Sequence, residues 1–189
     1  MIYSGKFNNI ILSFEFAEVN MAEITLITGG AGSGKTAYAI ELAVGFAKKA
    51  YIATAEATDS EMWKKILNHK AERDDTFVTF EEPIEIRKVI TETGCGVIII
   101  DCLTFWVNNL LYYDKDVEEY SSTLIAALAM AEVPVILVSN EVGLGIIPAD
   151  KPTRRYASAA AKLNKAVADI AENVILMVAG QPLYVKGRK

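Results

Sequence analysis

The chain has 189 residues, 52% hydrophobic and 23% charged, with a formal net charge of -5. That balance describes one globular domain with a sizeable core and excludes a disordered chain. The acidic total argues against a nucleic-acid partner, which needs a basic face, but leaves room for a local basic pocket for phosphates.

In chain order, residues 1–20, "MIYSGKFNNIILSFEFAEVN", read as an upstream extension that is poorly ordered or adds a peripheral strand. Their apolar stretch is interrupted by Glu15 and no small-residue cleavage site follows, so a signal peptide is not expected. Residues 21–189 read as a single domain. "ITLIT" is a short apolar strand, and "KTAYAIELAVGFAKKA" is a helix with Tyr38, Leu42 and Phe46 recurring every four residues. "AYIATA" is a second strand. "TDSEMWKKILNHKAE" is a helix opened by a capping box, Thr58 with Glu61. "GVIIID" is a continuous apolar run of the kind found in a parallel strand covered on both faces. Helical segments follow around 104–113 and 116–131, then the buried strand "VPVILVSN" and the helix "TRRYASAAAKLNKAVADIAE". "NVILMVAG" and "PLYVK" close the chain as strands. Strands alternating with helices predict an α/β fold with a mainly parallel sheet. No apolar run reaches the roughly 20 residues of a membrane helix. Cys95 and Cys102 match no metal or disulfide pattern, lie on or beside apolar runs and read as buried free thiols of a reducing compartment.

"GGAGSGKT", Gly29 to Thr36, matches G-x-x-x-x-G-K-[ST] between a predicted strand and a predicted helix, the context of a phosphate loop. Gly29, Gly30, Ala31, Gly32, Ser33 and Gly34 would bring backbone N–H groups to phosphate oxygens, with the helix N-terminus aimed at the same charge. Lys35 would reach the β/γ oxygens, and the Thr36 hydroxyl would ligate Mg²⁺. Asp101 ends its strand, where a carboxylate faces the ligand crevice and could join Thr36 on Mg²⁺; the bland alternative is a cap for the next helix. Asn140, Glu141 and Gly143 depart from the N-K-x-D guanine motif, which disfavours an ordinary GTPase switch. His69 is the only histidine. Helical spacing with Met62 and Ile66 suits a core-edge residue, whereas Lys70 and Arg73 close by suit a nucleophile on phosphorus whose developing charge they balance. Lys70 and Arg73 also fit solvated charge at a helix end.

The segments "ITLITGGAGSGKT", "YIATAEATDSEMWKKILNHKAER", "IIIDCLTFWVNNLL", "ILVSNEVGLGIIP" and "RRYASAAAKLNKAVADIAENVILMVAGQPLYVK" run from about Ile24 to Lys186. In that order they resemble the bifunctional adenosylcobinamide kinase / adenosylcobinamide-phosphate guanylyltransferase family of cobalamin biosynthesis. The resemblance implies a phosphate-loop, RecA-like fold. It also implies phosphorylation of adenosylcobinamide by ATP or GTP, then transfer of GMP from GTP through a guanylyl-histidine to the cobinamide phosphate. Position by position, it implies nucleotide contacts at Gly29–Thr36, at Ala53, Thr54 and Ala55, at Lys70, Ala71, Glu72 and Arg73, and at Glu81 and Asp101. The guanylylated residue falls on His69, preceded by Asn68 where some members carry a second histidine. A cytoplasmic homotrimer with active sites near subunit interfaces is implied as well. "NEVGLGIIP" fits a corrinoid or phosphate contact or a plain strand-to-helix loop, and Arg154 and Arg155 fit phosphates or subunit salt bridges. The rival readings are a phosphate-loop kinase for another small molecule and a nucleotide-dependent switch.

Overall fold

The computed structural model describes residues 22–57, 60, 70 and 73–187. The N-terminal extension, the Thr58/Glu61 capping box, His69, Ala71 and Glu72 lie outside the described residues.

Seven strands form one sheet: β1 (Ile24–Gly29), β2 (Lys49–Ala53), β3 (Phe77–Glu81), β4 (Val97–Asp101), β5 (Val135–Val138), β6 (Asn173–Val178) and β7 (Gln181–Lys186), in the order β3-β2-β4-β5-β1-β6-β7. All neighbouring pairs are parallel except β6 and β7. That last pair turns through Ala179 and Gly180, both at positive φ, the conformation that lets a two-residue turn follow the strand twist. The helices among the described residues are α1 (Lys35–Leu42), α2 (Ile86–Glu92), α3 (Leu103–Tyr112), α4 (Val117–Ala129) and α5 (Lys151–Ile170).

The central strands are apolar on both sides because both are covered. Alternate residues split into two cores. Ile24, Leu26, Ile98, Ile100, Val135 and Leu137 pack beneath α2, α3, α4 and α5. Ile27, Tyr51, Val97, Ile99, Ile136 and Val138 face the other way, against Ala39 and Ala43 at the α1 end.

The structure departs from the sequence expectations in two places. The first helix stops at Leu42, not near Ala50: Val44 is exposed, Gly45 follows, and the chain needs residues 43–48 to reach β2. In addition, "FVTFE" pairs as an edge strand, β3, followed by α2, a stretch for which no element was expected. β3 has no fully buried residue, so its apolar pattern is weak.

Candidate active site

Parallel strands bring their carboxyl ends to one edge of the sheet, and the loops leaving β1, β2, β4 and β5 meet there. The loop from Gly29 to Gly34 wraps the N-terminus of α1. Gly29 must be glycine on two counts: its φ is +145, and a Cβ there would lie 2.5 Å from the Met177 carbonyl oxygen. Gly34, at φ 91, is the N-cap of α1 and offers no side-chain cap, so the first helical N–H groups have no side-chain acceptor. That leaves them for an anion. The loop is fastened on both sides. Gly180 N–H donates to the Ser33 carbonyl at 3.1 Å, and Glu141 N–H donates to the Gly29 carbonyl at 3.0 Å.

Lys35 is only 7% exposed. Its ammonium donates to the carbonyls of Gly29 at 3.1 Å and Gly30 at 2.7 Å, curled into the loop. Burial pushes its pKa below the usual lysine range, against the opposing pull of Cys102 and Asp101. A bound polyphosphate would remove that penalty by supplying negative charge. The next residue, Thr36, places its hydroxyl 3.4–3.5 Å from the two Asp101 carboxylate oxygens. Asp101 does not cap α3. The N-cap is Cys102, with no side-chain cap bond, so the bland alternative for Asp101 is removed.

Sheet register explains the rest of the edge. Ala53 pairs with Glu81 on one side and with Asp101 on the other, so the last residues of β3, β2 and β4 form one row. The small Ala53 side chain leaves a gap between the two carboxylates. Lys70 donates to Glu81 at 2.6 Å, and that bond and charge hold the Glu81 carboxyl below the usual range. The guanidinium carbon of Arg73 lies 4.0 Å from the centre of the Tyr51 ring. Tyr51 in turn donates its hydroxyl to Asp101. Thus Lys35, Thr36, Asp101, Arg73, Lys70 and Glu81, all expected from sequence, come together. Five buried side-chain polar atoms among the described residues lack a hydrogen-bond partner, and three of them belong to this edge: Ser33 Oγ and Arg73 Nε and Nη1. Unpaired buried donors are costly, and two on one guanidinium point to a ligand.

Other expected residues have different surroundings. Thr54 is fully buried, and its hydroxyl both accepts from Cys102 N–H and donates to the Cys102 carbonyl, each at 2.8 Å. Its backbone is used as well, the N–H donating to the Asp101 carbonyl at 2.9 Å and the carbonyl accepting from Asn109, so Thr54 ties the end of β2 to that of β4 and offers no free polar group to a nucleotide. Arg154 donates to the carbonyls of Pro148 and Ala149 and so fastens the start of its own helix. Arg155 lines a groove with Lys115, Glu118 and Lys162, away from the phosphate loop. Cys95 and Cys102 are buried and free, as expected.

Residues 25–185 match the family described as cobinamide kinase / cobinamide phosphate guanyltransferase. The chain belongs to this family. As a member of the cobinamide kinase / cobinamide phosphate guanyltransferase family, it is 42% identical over 168 residues to the bifunctional adenosylcobalamin biosynthesis protein CobP of Pseudomonas aeruginosa, covering 86% of this chain and 96% of that one. It is 33% identical over 178 residues to the bifunctional adenosylcobalamin biosynthesis protein CobU of Escherichia coli K12, covering 85% and 98%. Among solved structures it is similar to a KaiC-like protein from Pyrococcus horikoshii, with a TM-score of 0.52, 16% identity and coverage of 88% and 80%. That likeness concerns the fold alone and agrees with the RecA-like, phosphate-loop architecture.

Sequence reasoning about this family member missed a polar network behind the loop. Asn140 donates to the Thr104 hydroxyl at 3.0 Å, Thr104 meets the Cys102 thiol at 2.9 Å, and Asn109 donates to the Thr54 carbonyl at 2.7 Å. It also missed Tyr51. A phenol on a buried strand needs a polar partner, which was the available signal.

Proposed function

We propose that this chain phosphorylates the aminopropanol hydroxyl of adenosylcobinamide with ATP or GTP. It then transfers GMP from GTP, through a guanylyl-histidine at His69, to give adenosylcobinamide-GDP. The observation that carries this reading is the buried Lys35 beside the Thr36–Asp101 pair, in a chain matching the family over residues 25–185.

In the first reaction the substrate hydroxyl attacks the γ-phosphorus. Its proton is released, and the nucleoside diphosphate leaves with the electrons of the broken P–O bond. Catalysis of this kind is mostly positioning and charge stabilisation. Gly29–Gly34 and the α1 N-terminus hold the phosphates, and Lys35 swings from the loop carbonyls to the β/γ oxygens. In the second reaction an unprotonated imidazole nitrogen of His69 attacks the α-phosphorus of GTP; an N–P bond forms and pyrophosphate departs. An oxygen of the cobinamide phosphate then attacks the same phosphorus and releases the imidazole. Lys70 and Arg73 offset charge during both steps, with Ala53, Ala55, Ala71, Glu72 and Glu81 lining the nucleotide.

The Thr36 hydroxyl and Asp101 carboxylate fit Mg²⁺, a hard cation held by one or two side-chain oxygens with phosphates and water. Bound there, Mg²⁺ would neutralise charge on the β- and γ-phosphates.

The reading extends to a cytoplasmic homotrimer, with residues 21–189 acting as one domain preceded by the extension 1–20. Two buried free thiols support a reducing compartment. Among the described residues no helix is long and apolar enough to cross a membrane. Incubation with α-labelled and γ-labelled GTP tests the chemistry. Acid-labile α-label should appear on the protein and vanish in His69→Asn, while γ-label still reaches cobinamide. Guanylyl transfer surviving in His69→Asn would sink the covalent route. Light scattering of the whole chain should give three times the protomer mass.

A further inference from the structure

Two sets of residues serve the proposed reactions from opposite sides of β2. Thr36 belongs to α1 and Asp101 to β4, whereas Lys70 and Arg73 belong to the stretch that leads into β3. One side chain touches both sets. Tyr51 is 2% exposed, in the middle of β2, with its ring on the sheet face that α1 covers. Register pairs Tyr51 with Ile99, so Asp101, two residues on along β4, is its diagonal neighbour on that face. A phenol is long enough to span such a diagonal, and the Tyr51 hydroxyl donates to Asp101 Oδ2. The Phe77 ring meets the Tyr51 ring edge-on, with centroids 6.3 Å apart and planes at 78°. The Arg73 guanidinium lies over the Tyr51 ring at 4.0 Å, with Nε and Nη1 buried and lacking partners.

We propose that Tyr51 is the positioning residue that joins the two halves of the site. Its hydroxyl fixes the Asp101 carboxylate beside Thr36, and its ring face holds the Arg73 guanidinium with Nε and Nη1 left to donate to the nucleotide. This rests on the function proposed above for the same cleft. A carboxylate held by a phenol presents one orientation, and stacking does the same for a guanidinium without using its N–H donors. Tyr51 touches neither substrate nor phosphorus; it acts through the residues that do.

The two roles separate by substitution. Tyr51→Phe keeps the ring and loses the hydroxyl, whereas Tyr51→Leu loses both. The probe is the α,β-methylene analogue of GTP, which cannot guanylylate the protein, titrated calorimetrically into the full chain at a series of Mg²⁺ concentrations. Tyr51→Phe should need roughly tenfold more Mg²⁺ for half-maximal binding, the scale of one hydrogen bond to a charged group, with saturating affinity near that of the parent. Tyr51→Leu should show the same Mg²⁺ shift and, in addition, a several-fold weaker saturating affinity. Arg73→Gln should weaken saturating affinity while leaving the Mg²⁺ requirement in place, and it carries the second arm if Tyr51→Leu does not fold. A Mg²⁺ requirement unchanged in Tyr51→Phe overturns the first role. Parent-like saturating affinity in Arg73→Gln overturns the second. Intact-mass measurement after GTP separates this from the wider reading. A parent protein that forms no GMP adduct defeats the guanylyl-histidine, and the Mg²⁺ titration still reads Tyr51.

Discussion

Beneath α2 to α5 the sheet presents Ile24, Leu26, Ile98, Ile100, Val135 and Leu137, all buried aliphatics. The residues of opposite parity on the other face include Tyr51 and, at the strand ends, Glu81 and Asp101. On β4 the successive residues Ile100 and Asp101 belong to the two different sets, and the pleat alone sends them to opposite faces. One face therefore holds the fold together. The other trades part of its apolar contact for polar and charged groups at the strand ends. The difference shows how a sheet can be rigid and carry a polar site at once: β4, which ends in Asp101, is buried on both faces from Val97 to Ile100.

The largest expected effect lies on the reactive face. Lys35→Ala should cost on the order of 10²–10³ in the rate of both reactions, the scale for removing one preorganised charge donor. Its effect on stability should be small, because the burial that lowers the Lys35 pKa is itself unfavourable to the charged form. The sign can be checked separately. A lysine with a lowered folded pKa releases its proton before the unfolded chain does. The parent without nucleotide should therefore gain stability relative to Lys35→Ala as pH rises from the lowered value to 10.5, and lose that gain as pH falls.

The packed face should respond in the opposite way. Trp106 is 1% exposed and donates to the Ile84 carbonyl at 2.8 Å. Trp106→Ala should cost about 3–5 kcal/mol in urea unfolding, while the molecules still folded keep the parent's rate per site. A loss of rate larger than the loss of folded protein would break the division between the faces.

Two smaller effects sharpen the comparison. Burial, reinforced by Asp101, pushes the Cys102 thiol up, although Thr104 opposes the shift. Cys102 should then stay unmodified by a thiolate-directed alkylating agent at neutral pH until the protein unfolds, read by mass spectrometry. On the α1 side, Tyr38 meets Tyr184 at 2.9 Å. Burial first, then that hydrogen bond, pushes the Tyr38 pKa up to about 12. Alkaline absorbance titration of Tyr184→Phe should show the Tyr38 transition moving back towards 10 without reaching it. No movement would mean that burial alone sets the value.

Much of this was legible in the chain. The phosphate loop is a local pattern, and its strand and helix neighbours could be read on either side. The strands 97–101 and 135–138 are apolar runs short enough to be nothing else. "FVTFE" was not legible, because an edge strand shares its burial with solvent. The early end of α1 was hidden too: the four-residue recurrence continues to Phe46, which packs on the sheet from beyond the helix. Thr54 read as a nucleotide contact by position, yet its hydroxyl is used between two strands.

The sequence by itself determined the loop that cradles phosphates, the alternation that makes a parallel sheet and the order of segments that marks the family, because each is written in residues close together along the chain. The tertiary structure decided what stands beside the loop. Tyr51 and Asp101 are 50 positions apart, and Thr36 and Asp101 are 65. They become neighbours only when β2, β4 and β1 take their places in the sheet order. Register then decides which residues share a row and a face, since a shift of one residue would turn every one of these side chains into the opposite core.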